Sequence, residues 1–314
     1  MRFKDFGNTG IMVSEMCLGT WGIGGAGWDT YSEEDRAAAI YAAVDGGINF
    51  IDTAPAYNDS AEQRIGNVLK KYNLRNKLFI SSKCGVEFRD GEYHKNLSRE
   101  MIFKQIDRSL KFLGTDHIDV YFMHWPDVNT PIEETMDALN QIQKEGKIRF
   151  IGASNFSIAE MQEAEKYGKI DALQVNYSMV ERKVEESMKW AAETGKGVMA
   201  YGPLHGGLLT GRFTEPKDFG SADVRGDFYP MFNEPGFSKT MKLIEVMKQV
   251  AAAHSNATVA QVAMNWATKK DYVSTAIVGA QTADKVTRNI AAYEWQISDE
   301  EMALLDKAIA DLGL

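Results

Sequence analysis

The stretch GIGGAG, residues 22–27, decides between two folds. In letters it satisfies G-x-G-x-x-G, the fingerprint of a dinucleotide-binding turn in a doubly wound sheet. Its context is wrong for that role. Such a turn runs its glycines straight into a helix whose N-terminus holds a pyrophosphate. Here WDTY intervenes, and the next helix signal is Ser32-Glu33-Glu34-Asp35, with Ser32 as cap and Asp35 closing the box. Acidic residues at the head of that helix repel phosphate. Asp52 does end the second apolar run, where a ribose-binding acid would fall, but it cannot rescue the turn. The reading is a glycine loop after a first strand, and a fold that does not depend on it.

Working outward, short apolar runs recur at 16–21, 48–53, 78–83, 118–124, 148–154, 172–178, 197–204 and 275–280. Continuous apolar runs of this length suit parallel strands buried on both faces. Helix signals lie between them. Thr130 to Glu133 reads as a capping box with Pro131 at the first helical position, and Ser157 to Glu160 repeats it, with Gly168 as the stop. Ser98 precedes an apolar stripe, Ile102, Ile106, Leu110 and Leu113, that ends at Gly114. Ser298 to Glu301 opens a final helix. Eight strands alternating with helices predict a (β/α)8 TIM barrel, an α/β fold, spanning 1–314 as a single domain. RFKDFGNTGIMVSE at 2–15 adds an N-terminal β-hairpin, expected to close the bottom of the barrel. The connection 205–274 is long and begins irregularly, rich in Gly, Pro and Phe, before two helical patterns. Irregular loops of that length usually carry function or move.

Bulk properties exclude several classes. The formal charge of −9 disfavours nucleic acid and anionic membrane as partners. Two cysteines, Cys17 and Cys84, provide neither a disulfide framework nor metal-ligand spacing, so no metal is expected. No run approaches the ~18 apolar residues of a membrane span. MRFKDFGNTG lacks a signal-peptide core, which predicts a cytoplasmic protein.

In a parallel barrel the C-terminal strand ends converge on the face that holds the active site. The ends here carry Asp52, Lys83 and His124, and Tyr57 follows Asp52 in the adjoining loop. Each has an ordinary structural alternative when taken alone: a turn cap, a solvated charge, an interior histidine, a core aromatic. Together they form a chemical set. Asp52 would pair with Lys83. Lys83 beside Tyr57 is expected to lower the phenol's pKa and make it a general acid near neutral pH. His124 would donate a hydrogen bond to a carbonyl oxygen. No activated nucleophile is apparent, so hydrolysis fits poorly.

At this point the chain resembles the aldo-keto reductase family over essentially its full length. The matching pieces are GTW (19–21), GINFIDTAPAY (47–57), ISSKCG (80–85), IDVYFMHWPD (118–127), GKIRFIGASNFS (146–157), LQVNYSM (173–179), YGPLHGGLLTGR (201–212) and IVGAQTADKVTRNI (277–290). The resemblance implies a barrel that binds NAD(P)(H) without a Rossmann turn, and a catalytic tetrad of Asp52, Tyr57, Lys83 and His124. It implies nicotinamide contacts from Ser154, Asn155 and Gln174, with Tyr201 stacking on the ring and Thr20 and Trp21 nearby. Gly202, Pro203, Leu204, Gly207 and Arg212 resemble the pyrophosphate belt. Gly279, Gln281, Lys285 and Asn289 resemble the adenosine end. The chain departs from the family pattern at Gln281, where relatives carry a basic or small hydroxyl residue, and at Arg288, where an acid usually precedes the asparagine. Lys285 and Arg288 would suit a 2′-phosphate, so NADP(H) is the expected cofactor and NAD(H) the alternative.

Trp21, Tyr57, His124 and Trp125 are expected to line the substrate pocket, with Trp28, Phe88, Phe228 and Tyr229 as loop candidates. An aromatic lining with few charges favours an aldehyde, ketone, alcohol or sugar over a carboxylate. The expected activity is carbonyl reduction, or oxidation of the corresponding alcohol or sugar, with Tyr57 as general acid or base, by a monomer or homo-oligomer. The resemblance also admits a second class, a cofactor-binding sensor module like the β-subunits of potassium channels.

Overall fold

The computed structural model describes residues 1–25, 31–58, 60–89, 92–219, 223, 225–255 and 257–314. Two short strands, β1 (Phe3–Asp5) and β2 (Met12–Ser14), pair antiparallel ahead of the barrel. The barrel strands are β3 (Met16–Gly19), β4 (Phe50–Asp52), β5 (Phe79–Cys84), β8 (Ile118–Met123), β9 (Ile148–Ser154), β10 (Ala172–Asn176), β11 (Gly197–Tyr201) and β12 (Thr275–Gly279). They pair parallel in that order, and β12 closes on β3. An antiparallel pair, β6 (Val86–Arg89) and β7 (Glu92–Lys95), stands outside the barrel between β5 and β8. Sequence reading overlooked this pair. Its signal was present: alternating residues flank Asp90-Gly91, a dipeptide that favours tight turns.

The helices run α1 (Trp21–Gly24), α2 (Glu33–Asp45), α3 (Ser60–Tyr72), α4 (Arg99–Leu113), α5 (Ile132–Lys144), α6 (Ile158–Ala164), α7 (Glu185–Glu193), α8 (Arg225–Phe228), α9 (Gly236–Ala252), α10 (Val259–Lys269), α11 (Ala283–Ile290) and α12 (Asp299–Leu312). Four begin as their sequences predict, with Ser32, Ser98, Ser157 and Ser298 accepting from the backbone N–H three residues on. Thr130 does not cap α5. Its hydroxyl is taken by Asp127 at 2.7 Å, and Pro131 stands at the helix start without a side-chain cap. The helix after Ser157 ends at Ala164, short of Gly168. No described helix is long and apolar enough to cross a membrane.

Two apolar layers result. One lies between strands and helices. The other fills the barrel with Phe6, Val13, Cys17, Phe50, Val120, Phe122, Met199 and neighbours. Gly152 makes room for the Phe122 ring, since a Cβ there would come within 2.3 Å of it. Phe6, carried between β1 and β2, plugs the N-terminal end. It is fully buried, meets Phe50 edge-to-face at 5.5 Å, and lies so close to Gly197 that a Cβ there would reach its ring at 2.7 Å. The hairpin thus closes the bottom and leaves the C-terminal strand ends as the open face. The long connection after β11 folds back on a small aromatic core of its own, Leu208, Tyr229, Phe232 and Phe237.

Candidate active site

The strand ends bring Asp52, Lys83, Tyr57 and His124 together. Lys83 is buried at the end of β5, and its ammonium donates to both Asp52 oxygens, at 2.9 and 2.7 Å, and to the Thr53 carbonyl at 2.9 Å. It reaches the Tyr57 hydroxyl at 3.3 Å, and its Nζ lies 5.1 Å from the Tyr57 ring centroid. Asp52 also accepts from Ser81 and from Gln174 Nε2, each at 2.8 Å. A buried carboxylate so furnished holds the ammonium with little loss of orientation. Ser81 escaped the sequence reading. It stands two residues before Lys83 on one strand, hence on the same face, which is the signal that would have found it.

The phenol behaves differently from expectation. Burial pushes the Tyr57 pKa well above its ordinary value of 10, and the Asp52 charge adds to the rise. The ammonium was expected to lower it. Asp52 lies against that ammonium and cancels its field at the phenol, so desolvation wins. Burial, with Lys83 as a second cause, drives the His124 imidazole well below its usual 6.5. A neutral imidazole keeps one N–H to donate. The His124 and Tyr57 rings stand edge-to-face with centroids 6.2 Å apart, so both can address one small group between them.

Beside these lies a polar ledge. Gln174 pairs in register with Ser154, and Asn155 follows with a left-handed φ of 63°. Its amide donates to the His124 carbonyl at 3.1 Å and accepts from the Tyr201 hydroxyl at 2.8 Å. Gln174 Nε2 is already committed to Asp52, so this side chain supports the carboxylate as well as edging the ledge. The Thr20 hydroxyl also faces inward, donating to the Asp52 carbonyl at 2.8 Å.

Aromatic rings form the rim. Trp21 stacks near Tyr57 with centroids 6.3 Å apart, Phe228 meets Trp21 at 5.9 Å, and Tyr201 meets Phe228 at 6.3 Å. Trp125, next to His124, carries Lys95 of β7 over its ring at 5.2 Å. Tyr229 is buried against His205 in the aromatic core of the long connection, and its ring also meets Phe228 of the rim at 5.1 Å. Trp28 and the Phe88 side chain lie outside the described residues.

Beyond β11 the chain turns through left-handed glycines at 202, 206 and 207, with Pro203 and Leu204 between. A Cβ at Gly202 would fall 2.7 Å from Asn176 Oδ1, a buried oxygen with no hydrogen-bond partner among the described residues. A Cβ at Gly207 would come 3.3 Å from the Arg212 guanidinium. Glycine backbone beside the Arg212 guanidinium fits an anionic group such as a pyrophosphate laid over this loop, and the Asn176 oxygen, an acceptor, fits a neighbouring donor. On the far side of β12, Gly279 is exposed, Gln281 is buried and Lys285 and Asn289 are half-buried. Arg288 is drawn off by Asp284 one turn earlier on α11, and so is compensated locally. The first glycine of GIGGAG packs here: a Cβ at Gly22 would strike Gln281 Nε2 at 2.2 Å. Trp21–Gly24 forms a single helical turn, not an open loop, and residues 26 and 27 lie outside the described ones.

The chain is similar to known proteins over nearly its whole length. The Aldo/keto reductase family model matches residues 15–310. The chain is 32% identical to the aldo-keto reductase YhdN of Bacillus subtilis (strain 168), covering 99% of this chain and 96% of that protein. It is 34% identical to the NADH-specific methylglyoxal reductase of Escherichia coli (strain K12), over 97% of each. Its fold is similar to that of the glycerol dehydrogenase AKR11B4 from Gluconobacter oxydans, with a TM-score of 0.89 and 29% identity over 98% of this chain and 95% of that one. A sequence match and a structural match of this extent agree on one lineage: the chain is an oxidoreductase and belongs to the aldo/keto reductase family.

Proposed function

We propose that the chain reduces small aldehyde or ketone carbonyls, or oxidises the corresponding alcohols or sugars, with NADP(H), and that Tyr57 moves the proton. The observation that carries this reading is the Lys83 ammonium held between the Asp52 carboxylate and the Tyr57 hydroxyl. The bound nicotinamide supplies or takes the hydride. The protein supplies the rest. Tyr57, kept protonated by its surroundings, donates to the carbonyl oxygen as negative charge develops there. The phenolate left behind keeps the hydrogen bond that Lys83 Nζ donates to the Tyr57 oxygen, a bond that strengthens as the oxygen gains charge and offsets part of the cost of burying it. His124, neutral, donates a hydrogen bond that orients the same oxygen. Ser154, Asn155 and Gln174 would hold the carboxamide, Tyr201 would cover the ring, and Arg212 with the glycines at 202 and 207 would take the pyrophosphate.

The rim of Trp21, Tyr57 and Phe228 suits a small, weakly charged substrate. Two relatives are named for small polar compounds, methylglyoxal and glycerol, which supports that size class. The test is steady-state oxidation of NADPH and NADH by the purified protein over a panel of aldehydes, ketones, quinones and sugars. Multiple turnovers with a small carbonyl are expected. Tight cofactor retention without turnover on any member would favour the sensor class instead.

A further inference from the structure

We propose that Tyr31 sets the cofactor choice of this chain by holding Lys285 in place for the 2′-phosphate of NADP(H). This deepens the reading above and rests on it. Tyr31 immediately precedes the Ser32 cap of α2, far in sequence from α11, and no part of the family resemblance singled it out. Its hydroxyl accepts from Lys285 Nζ at 2.5 Å, and its ring centroid lies 4.6 Å from the same ammonium. Gln281 Oε1 takes a second bond from Nζ at 3.0 Å. Gln281 is itself buried, with its carboxamide packed against Gly22, so this acceptor has little room to move.

Both oxygens that hold the Lys285 ammonium are neutral. No carboxylate pairs with it among the described residues, whereas the neighbouring Arg288 is paired with Asp284. The two cations that the sequence offered for a 2′-phosphate are therefore unequal: Arg288 is an exposed side chain sharing its charge with Asp284, whereas Lys285 is half-buried, oriented and, among the described residues, without a carboxylate partner. Lysine is a flexible point charge that loses much rotamer freedom when it binds. A lysine already held by a phenol and a fixed carboxamide has less freedom to lose, and preorganisation of this kind appears as affinity. NADH lacks the phosphate and gains nothing from it. Tyr31 is thus a positioning residue, and its effect falls on the difference between the two cofactors.

The experiment measures dissociation constants of NADPH and NADH by fluorescence quenching for the unaltered protein, Tyr31→Phe and Lys285→Ala. Tyr31→Phe keeps the ring and removes only the acceptor. It is expected to weaken NADPH about three- to ten-fold, the net scale of one ordinary hydrogen bond, and to leave NADH within about two-fold. Lys285→Ala is expected to weaken NADPH about ten-fold or more with the same indifference toward NADH. If Lys285→Ala is selective and Tyr31→Phe shifts both cofactors equally or neither, the role of Tyr31 is overturned and the NADP(H) reading survives. If Lys285→Ala is unselective as well, the 2′-phosphate assignment fails and the proposal falls with it.

Discussion

The Lys83 ammonium lies 3.3 Å from the Tyr57 hydroxyl and 2.7 Å from the nearer Asp52 oxygen, so the cation beside the phenol is already spoken for. Burial therefore raises the phenol unopposed, and the Asp52 charge adds to the rise. A raised acid pKa means the protonated, proton-donating form persists to higher pH. His124, lowered, is neutral throughout the same range. Neither group then changes state between about pH 6.5 and 10, the interval between the ordinary imidazole and phenol values. The rate of carbonyl reduction at saturating cofactor is expected to be flat across that interval. Alcohol oxidation, which needs the phenolate as base, is expected to rise with pH through it. A reduction rate that falls with an apparent pKa near 7 would contradict the raised phenol.

Tyr57→Phe removes the proton donor and little else. The ring remains to stack near Trp21, and Lys83 keeps its bonds to Asp52 and the Thr53 carbonyl. Reduction is expected to fall on the order of 10²–10⁴-fold in kcat, the usual worth of a positioned general acid. Cofactor dissociation constants should stay within about two-fold, because the hydroxyl acts mainly in the transition state. Stopped-flow reduction with equilibrium titration of NADPH separates the two quantities. Equal losses in both would make Tyr57 a structural residue.

Much of this was legible because strand ends are legible. Asp52, Lys83 and His124 each close or follow an apolar run, and a parallel barrel puts such residues on one face. What escaped was what depends on three-dimensional neighbours. The pairing of Asp52 with Lys83 was expected; that the phenol beside them is buried deeply enough for its pKa to rise and not fall depends on surroundings that no spacing encodes. Thr130 carries the letters of a cap, but Asp127 competes for its hydroxyl and wins. Tyr31 had no motif at all; its meeting with Lys285 spans 254 positions in the chain. GIGGAG misleads for the converse reason: its first glycine packs against the carboxamide of Gln281, in a helical turn and not in a phosphate-binding loop.

Phe6→Ala tests whether the hairpin closes the barrel in energy as well as in shape. Phe6 is fully buried among Phe50, Val120, Met199 and their neighbours at the N-terminal end. Truncating a buried phenylalanine removes its transfer free energy and leaves a cavity, together about 3–5 kcal/mol. The rigid strand floor, with Gly197 shaped around the ring, gives little room to collapse, which favours the upper part of that range. Urea unfolding should register the loss. NADPH affinity measured well below the transition should be unchanged, because the strand ends that carry the tetrad lie at the other end of the barrel.

His205 gives the fold an acid sensitivity that can be removed. The imidazole is fully buried, neither ring nitrogen has a hydrogen-bond partner among the described residues, and Tyr229 packs on it at 4.8 Å. Burial pushes its pKa down to about 3 from 6.5. The folded chain therefore keeps this ring neutral while the unfolded chain protonates it below pH 6.5. The unfolded state binds the extra proton, so stability rises with pH across the window 3 to 6.5 and is flat above it. Within that window this one group contributes about 1.4 kcal/mol of lost stability per unit of acidification. The residue has a left-handed φ of 47°, which asparagine tolerates, so His205→Asn removes the titration without a new backbone demand. Whatever the substitution does to stability at pH 8, the variant should lose less on moving from pH 6.5 to 5 than the unaltered protein does, by about 2 kcal/mol. Parallel stability curves for the two proteins over that interval would mean that the imidazole is not held neutral by the fold.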